Sequence, residues 1–259
     1  MTRAKRVRLT AVQWLVSAGI IYVVWTFVLQ PGFSTAFFVG IGPTWSKIVD
    51  FFHDGTLGSM LAVTLKEALI GFAIGTGIGV VLALLIGLTP ALVGRVFEPF
   101  IAGFYAMPKF VLAPILFIWI GSGFLPRMYL VMLAVFPVVT IYLISGIRTV
   151  DPNTVLAMRR YGASRLQIGT KLLLPHTMGY FITALSFVLP HALTFAIGAE
   201  ILFGSSDGIG GVLFSQSQFF NSAGVLAALA VGTALSAVFI WLARQVGARL
   251  LGVDARRAI

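Results

Sequence analysis

Apolar runs long enough to cross a bilayer recur along the chain, at about 12–29, 60–88, 99–120, 128–147, 178–203 and 225–246. A helix needs ~20 such residues to traverse a ~30 Å hydrocarbon core. None of the runs alternates with a period of two, so each predicts a helix rather than a strand. The pattern predicts an all-α integral membrane fold of six transmembrane helices, read as a single transmembrane domain over residues 1–259. The stretch 31–59 differs: Pro31, Pro43, Lys47, Asp50, His53 and Asp54 predict a loop with a short amphipathic helix at the interface. Arg3, Lys5, Arg6 and Arg8 precede the first run, as in a secretory signal. That run is long and no small-x-small cleavage pattern follows it, so 12–29 is read as a retained span.

Composition narrows the class. A hydrophobic share of 59%, a charged share of 10% and a mean hydropathy of +1.01 exclude an ordinary soluble domain, where charge runs nearer ~25%. The chain has no cysteine, which removes disulfides, thiolate nucleophiles and cysteine metal sites together. His53, His176 and His191 share no ligand spacing, so no metal site is predicted.

The net charge of +10 carries topology rather than nucleic-acid binding. Grouping Met1–Thr10, the 89–98 loop, the 148–175 loop and the C-terminal tail on one side collects most of the cations. The other side holds Lys47 and Arg127 with Asp50, Asp54 and Asp207. The positive-inside rule then places both termini and 151–175 in the cytoplasm, with anionic lipid headgroups as the cations' simplest partner.

The stretch 151–175, DPNTVLAMRRYGASRLQIGTKLLLP, reads as two short helices joined by a glycine. Asp151 is placed to cap the first, and Pro152 sits where its missing N–H leaves nothing unpaired. Gly162 falls where a left-handed C-cap belongs. Ser164 and Gln167 have capping-box spacing and restart the chain as a second helix, which Pro175 is expected to end. Arg159, Arg160, Arg165 and Lys171 make the segment basic. A structured basic loop between two spans predicts a docking surface for a cytoplasmic partner.

Gly162-Ala163-Ser164-Arg165 followed by Leu172-Leu173-Leu174-Pro175 resembles the EAA loop of binding-protein-dependent ABC importer permeases. The wider resemblance is to the branch handling nitrate, sulfonates and taurine. It extends to Val150-Asp151-Pro152, Ala106-Met107-Pro108, Ala199-Glu200 and Gly208-Ile209-Gly210-Gly211. Leu156, followed by Ala157, stands where the family motif opens with an acidic residue. The resemblance implies a type I ABC importer architecture in which two such subunits, a homodimer, surround one translocation path in a bacterial plasma membrane. It implies ABC ATPase subunits docked on 151–175 and an extracytoplasmic solute-binding protein on the other face. ATP and Mg would be bound by the partner ATPase, with no cofactor on this chain.

Gly71, Gly75, Gly79, Ala83 and Gly87 place one small residue every four positions along the second run, a stripe for close helix packing. Gly75, Gly77 and Gly79 do not form a phosphate loop, because no strand precedes them and no G-x-x-x-x-G-K-S/T occurs. Pro108, Pro114 and Pro190 lie inside the third and fifth spans, as plain kinks or as breaks that line a cavity. Ionisable residues at membrane depth are costly and mark candidate function. Lys109, Pro108, His191 and Glu200 are therefore the candidates for the translocation path. Lys109 follows Pro108 and needs an anion, either a protein carboxylate or a passing anionic solute. Lys66 and Glu67 open the second span, where Lys66 can snorkel. Glu200 ends the fifth span and either pairs with Lys66 or caps the following loop. Residues 204–211, GSSDGIGG, read as a flexible turn or as a contact for a solute-binding protein. The rival to a permease is an intramembrane enzyme built on Glu200 or His191, but no paired acid and base share a defensible spacing.

Overall fold

The computed structural model describes residues 39–89 and 91–251, together with 16, 19, 20 and 22–29. Among the described residues the chain is helical and contains no strand. In order the helices are α1 (Ile41–His53), α2 (Thr56–Leu88), α3 (Ala91–Ala106), α4 (Ala113–Ile120) and α5 (Phe124–Ile147). They continue as α6 (Pro152–Arg160), α7 (Met178–Leu202), α8 (Gly208–Gln218) and α9 (Ser222–Leu251). A composite helix over 165–176 links α6 to α7, with a widened π turn at Gly169–Leu173.

Among the described residues four helices are long and apolar enough to cross a membrane: α2, α5, α7 and the Ser222–Gln245 part of α9. The expected third span, 99–120, is corrected by the structure. Val96–Ala106 and Lys109–Ile120 meet at 88°, a broken span or re-entrant pair. The break falls where Pro108 has no N–H to give: Met107 N bonds Gly103 O, and the next bond, Val111 N to Pro108 O, starts a new turn. Pro114 lies in the first turn of α4, where it breaks nothing, and Pro190 sits inside an uninterrupted α7. Of the six expected spans the described residues hold four, or five with the bent pair. The expected first span, 12–29, lies mostly outside them, and only Val24–Leu29 is described as an element, a π turn.

Helix α5 is the centre of the bundle. Of its apolar window 67% is buried, against 22–33% for the other three spans. Its apolar residues meet α2 on one side and α7 on another: Val131, Val135 and Val139 share one core with Ala68 and Ala83, and with Val188, Ala192, Leu193 and Ala196. The small-residue stripe of α2 makes this approach possible. A Cβ added at Gly71, Gly75 or Gly79 would lie 2.7, 2.8 and 2.8 Å from the Cβ of Val131, Val135 and Val139. Gly87 continues the row against Ile147, and Ala83 is fully buried within it. Thr140 Oγ1 lies 3.3 Å from Gly79 O across the same seam.

The two ends of the bundle differ. At the basic end sit 151–176 and the Glu98–Arg148 ion pair, which ties α3 to the end of α5. At the far end, α1, α8 and the adjoining turns of α2 and α9 close around Phe51, Met60, Ile209, Val212, Ala227 and Ala228. Asp54 accepts the Thr56 amide at 2.9 Å between α1 and α2, and hydrogen bonds from Thr56 hold its carboxyl below the usual range.

Candidate functional site

The basic segment is built from local signals that each find their partner. Asp151 Oδ1 accepts the Asn153 amide at 2.9 Å and starts α6. Gly162 has φ +78°, Gly162 N donates to Arg159 O, and Ala163 N reaches back to Met158 O, both at 3.0 Å. This is the paired closure of a Schellman C-cap. Ser164 and Gln167 then complete a reciprocal capping box, with bonds of 2.8 and 3.2 Å. Pro175 does not end the second helix as expected. The widened turn, closed by Leu174 N to Gly169 O, shifts the register just ahead of the proline, and the helix runs on to His176. The chain turns only at Thr177 before α7 begins.

One face of this segment is anchored and the other is open. Val150, Ile168 and Leu173 bury against Leu84 and Leu88 of α2. Leu156, Ala157, Gly162, Ser164, Arg165 and Pro175 are exposed and Ala163 is half-buried. Tyr161 at 92% and Leu166 at 72% exposure are large apolar side chains held outward beside Arg159, Arg160 and Lys171. A cavity of about 660 Å³ separates α6 from the ends of α2 and α5, lined by Gly87, Glu98, Arg148, Leu156 and Arg159 among others.

Lys109 and His191 come together across the break in the third span. They line one cleft of about 210 Å³ with Tyr105, Phe187 and Phe195. Of the two partners expected for Lys109, a protein carboxylate or a passing anionic solute, the carboxylate is replaced within the chain by a backbone carbonyl. Lys109 Nζ donates to Tyr105 O and lies 5.5 Å from the centre of the Tyr105 ring. Tyr105 O is one of the carbonyls freed where α3 stops, and a cation at a helix C-terminus meets the favourable end of the macrodipole. Glu98 is committed to Arg148 instead. His191 Nδ1 lies 2.7 Å from Phe187 O, and its ring stacks on Phe187 at 4.3 Å.

Glu200, expected on the path, is elsewhere and fully buried. Its Oε1 accepts from Thr64 Oγ1 and its Oε2 from Gly210 N, each at 2.6 Å. It caps the element that follows it and does not pair with Lys66, which lies over the Phe124 ring at 5.1 Å. Glu67, equally buried, has Arg127 Nη1 3.1 Å away. Arg127 also donates from Nε to Gly123 O at 2.7 Å and from Nη1 to Ser205 Oγ at 2.5 Å. The sequence placed Arg127 on the side opposite most of the cations, just ahead of the 128–147 run. As the fourth residue of α5 it is 7% exposed and pairs with the buried Glu67. Of residues 204–211 only 204–207 form a turn, and Gly208–Gly211 are the buried first turn of α8.

A broken span, a central small-residue seam and an exposed capped segment together make a helical membrane bundle of the kind found in ABC transporters. The fold agrees with solved structures of that class. It matches a bacterial ABC transporter involved in the import of the acidic polysaccharide alginate with a TM-score of 0.67 at 15% identity, covering 95% of this chain and 99% of that one. It matches the MetNI methionine ABC transporter with a TM-score of 0.55 at 20% identity, covering 75% and 92%. The chain belongs to the family of binding-protein-dependent transport system inner membrane components, whose profile matches residues 75–252. Among curated relatives, the taurine transport system permease protein TauC of Escherichia coli K12 is 27% identical over 180 residues, 70% of this chain. That match spans 65% of the relative's length. The putative aliphatic sulfonates transport permease protein SsuC of Bacillus subtilis 168 is 25% identical over 178 residues, 69% of this chain and 64% of the relative. Its E. coli K12 counterpart is 27% identical over 232 residues, 88% and 86% respectively.

Proposed function

We propose that this chain is the permease subunit of an ATP-driven importer for a small anionic solute of the sulfonate class. Two copies surround one path. The basic end faces the cytoplasm, as the positive-inside rule requires, and each copy receives an ATPase subunit that binds ATP and Mg. A solute-binding protein delivers solute at the far end. When ATP closes the ATPase pair, the docked segments carry that motion into the spans and the path alternates between its two openings. The observation that carries this reading is the 151–176 segment, internally capped, anchored on α2 by one face and presenting Tyr161, Leu166 and four cations on the other. Co-purification tests it: the chain should bring down a Walker-motif ATPase from its native membrane, and recovery without one overturns the reading.

Gly162→Val isolates the turn. No atom lies within 4 Å of the position, so the substitution acts on the left-handed backbone alone, at about 1–2 kcal/mol. Membrane insertion should persist while solute-stimulated ATP hydrolysis falls. Normal coupling in this variant would show that the turn geometry is dispensable.

The solute class rests on Lys109, the cation in the cleft beside His191, together with the sulfonate and taurine names of the relatives. Its bond to a neutral carbonyl leaves the charge uncancelled. An arriving sulfonate or carboxylate would gain a charge-assisted contact of about 1.5–3 kcal/mol. Lys109→Met should lower uptake of such an anion roughly tenfold to a hundredfold with expression unchanged. Equal uptake by the variant would make Lys109 only the cap of α3.

A further inference from the structure

The cleft shared by Lys109 and His191 also carries information about the uncharged part of a solute. It lies midway along α5 and α7, where Ala134, Val135 and Val138 face Phe187, Val188 and Phe195. Among the described residues that line it, Tyr105, Lys109 and His191 alone have polar side chains, and none is acidic. Lys109 is 8% exposed, and one of its three N–H groups goes to Tyr105 O. Phe187 O can only accept, so His191 donates to it from Nδ1, leaving Nε2 as its second ring nitrogen. The acidic side chains of the neighbouring helices are committed elsewhere: Glu98 to Arg148, Glu67 to Arg127, and Glu200 to Thr64 and Gly210.

The rest of the wall is aromatic, and its rings are held in place. Phe187 stacks on His191 at 4.3 Å and on Tyr142 at 6.5 Å. Phe195 packs at 5.1 Å against Phe110. Gly198 makes room for that pair, since a Cβ there would lie 2.6 Å from the Phe110 ring. Rings already fixed by their neighbours lose little freedom when a flat apolar group settles against them.

This inventory separates anions that share a head group. An ammonium on the solute would find two neutral acceptors, the Tyr105 hydroxyl and His191 Nε2, no carboxylate, and the like charge of Lys109 close by. A buried cation without an anion is costly, so an aminosulfonate is disfavoured. A small inorganic oxyanion would leave most of its oxygens without a donor and the aromatic wall unused. A flat ring gains from that wall, because aromatic pairs attract beyond the area they bury. We propose that the solute is an aromatic sulfonate without an ammonium group, its head on Lys109 and its ring against Phe187, His191 and Phe195. The inference rests on the importer reading above and narrows its sulfonate class to the aromatic members.

Three labelled sulfonates test it: benzenesulfonate, methanesulfonate and taurine. Binding is read on the purified permease–ATPase complex without a solute-binding protein, so that the latter's own selectivity does not enter. Benzenesulfonate should bind about tenfold more tightly than either of the others. Phe187→Ala should weaken benzenesulfonate about tenfold and leave methanesulfonate within about twofold, a split that a merely structural role would not produce. Lys109→Met should weaken both. Taurine or methanesulfonate bound as tightly as benzenesulfonate, binding of none of the three, or equal losses for both anions in Phe187→Ala overturns the aromatic assignment. Uptake by the complete transporter in vesicles, with its binding protein and ATP, separates the two levels. Uptake of none of the three overturns the sulfonate-importer reading itself, whereas uptake that prefers taurine or methanesulfonate overturns the aromatic assignment alone.

Discussion

Replacing Arg127 with methionine is expected to prevent accumulation of the folded protein. The guanidinium pairs with the fully buried Glu67 at 3.1 Å, and it also holds Gly123 O and Ser205. Removing one partner of a buried ion pair leaves an uncompensated charge and costs about 3–5 kcal/mol, a large fraction of a typical folding free energy. Yield and thermal midpoint in detergent measure it. Arg127→Met combined with Glu67→Gln should recover part of the loss, because the second change removes the stranded charge. Full stability of the single variant would show that the cluster is hydrated.

Gly75→Leu is expected to break the seam between α2 and α5. The Cβ alone would fall 2.8 Å from Val135 Cβ and 2.9 Å from Met132 O, and the second of these is backbone that cannot rotate away. Overpacking a close interface costs about 1–3 kcal/mol, and a rigid neighbour puts this site at the top of that range. Gly77→Leu is the matched control, two residues along the same helix with no atom within 4 Å. The midpoint should fall in the first variant and hold in the second. Equal midpoints would place the stripe away from any helix contact.

The readable parts of this protein were those whose signals are local. Asp151, Gly162 and the Ser164–Gln167 pair declared two capped helices because each acts on amides within five residues of itself. The four-residue spacing of Gly71, Gly75 and Gly79 declared a packing face because helix geometry converts that spacing into one stripe. Apolar run length likewise announced α2, α5, α7 and α9 to within a few residues.

Tertiary structure decided whatever depends on a partner distant in sequence. Run length could not show that 99–120 bends by 88°, because the run is equally apolar on both sides of Pro108. Pro175 read as a stop because a proline lacks an N–H, yet a widened turn ahead of it absorbs that lack and continues the helix. A buried Lys109 needs a partner, and only the bend supplies one within the chain, a freed carbonyl four residues back in place of a carboxylate. Thr64 bonds Glu200 across 136 residues, and Arg127 bonds Ser205 across 78. Sequence by itself determined that costly groups lie in the membrane. Which of them meet was settled by helix packing, because desolvation acts on each residue alone while its compensation requires a second residue brought beside it.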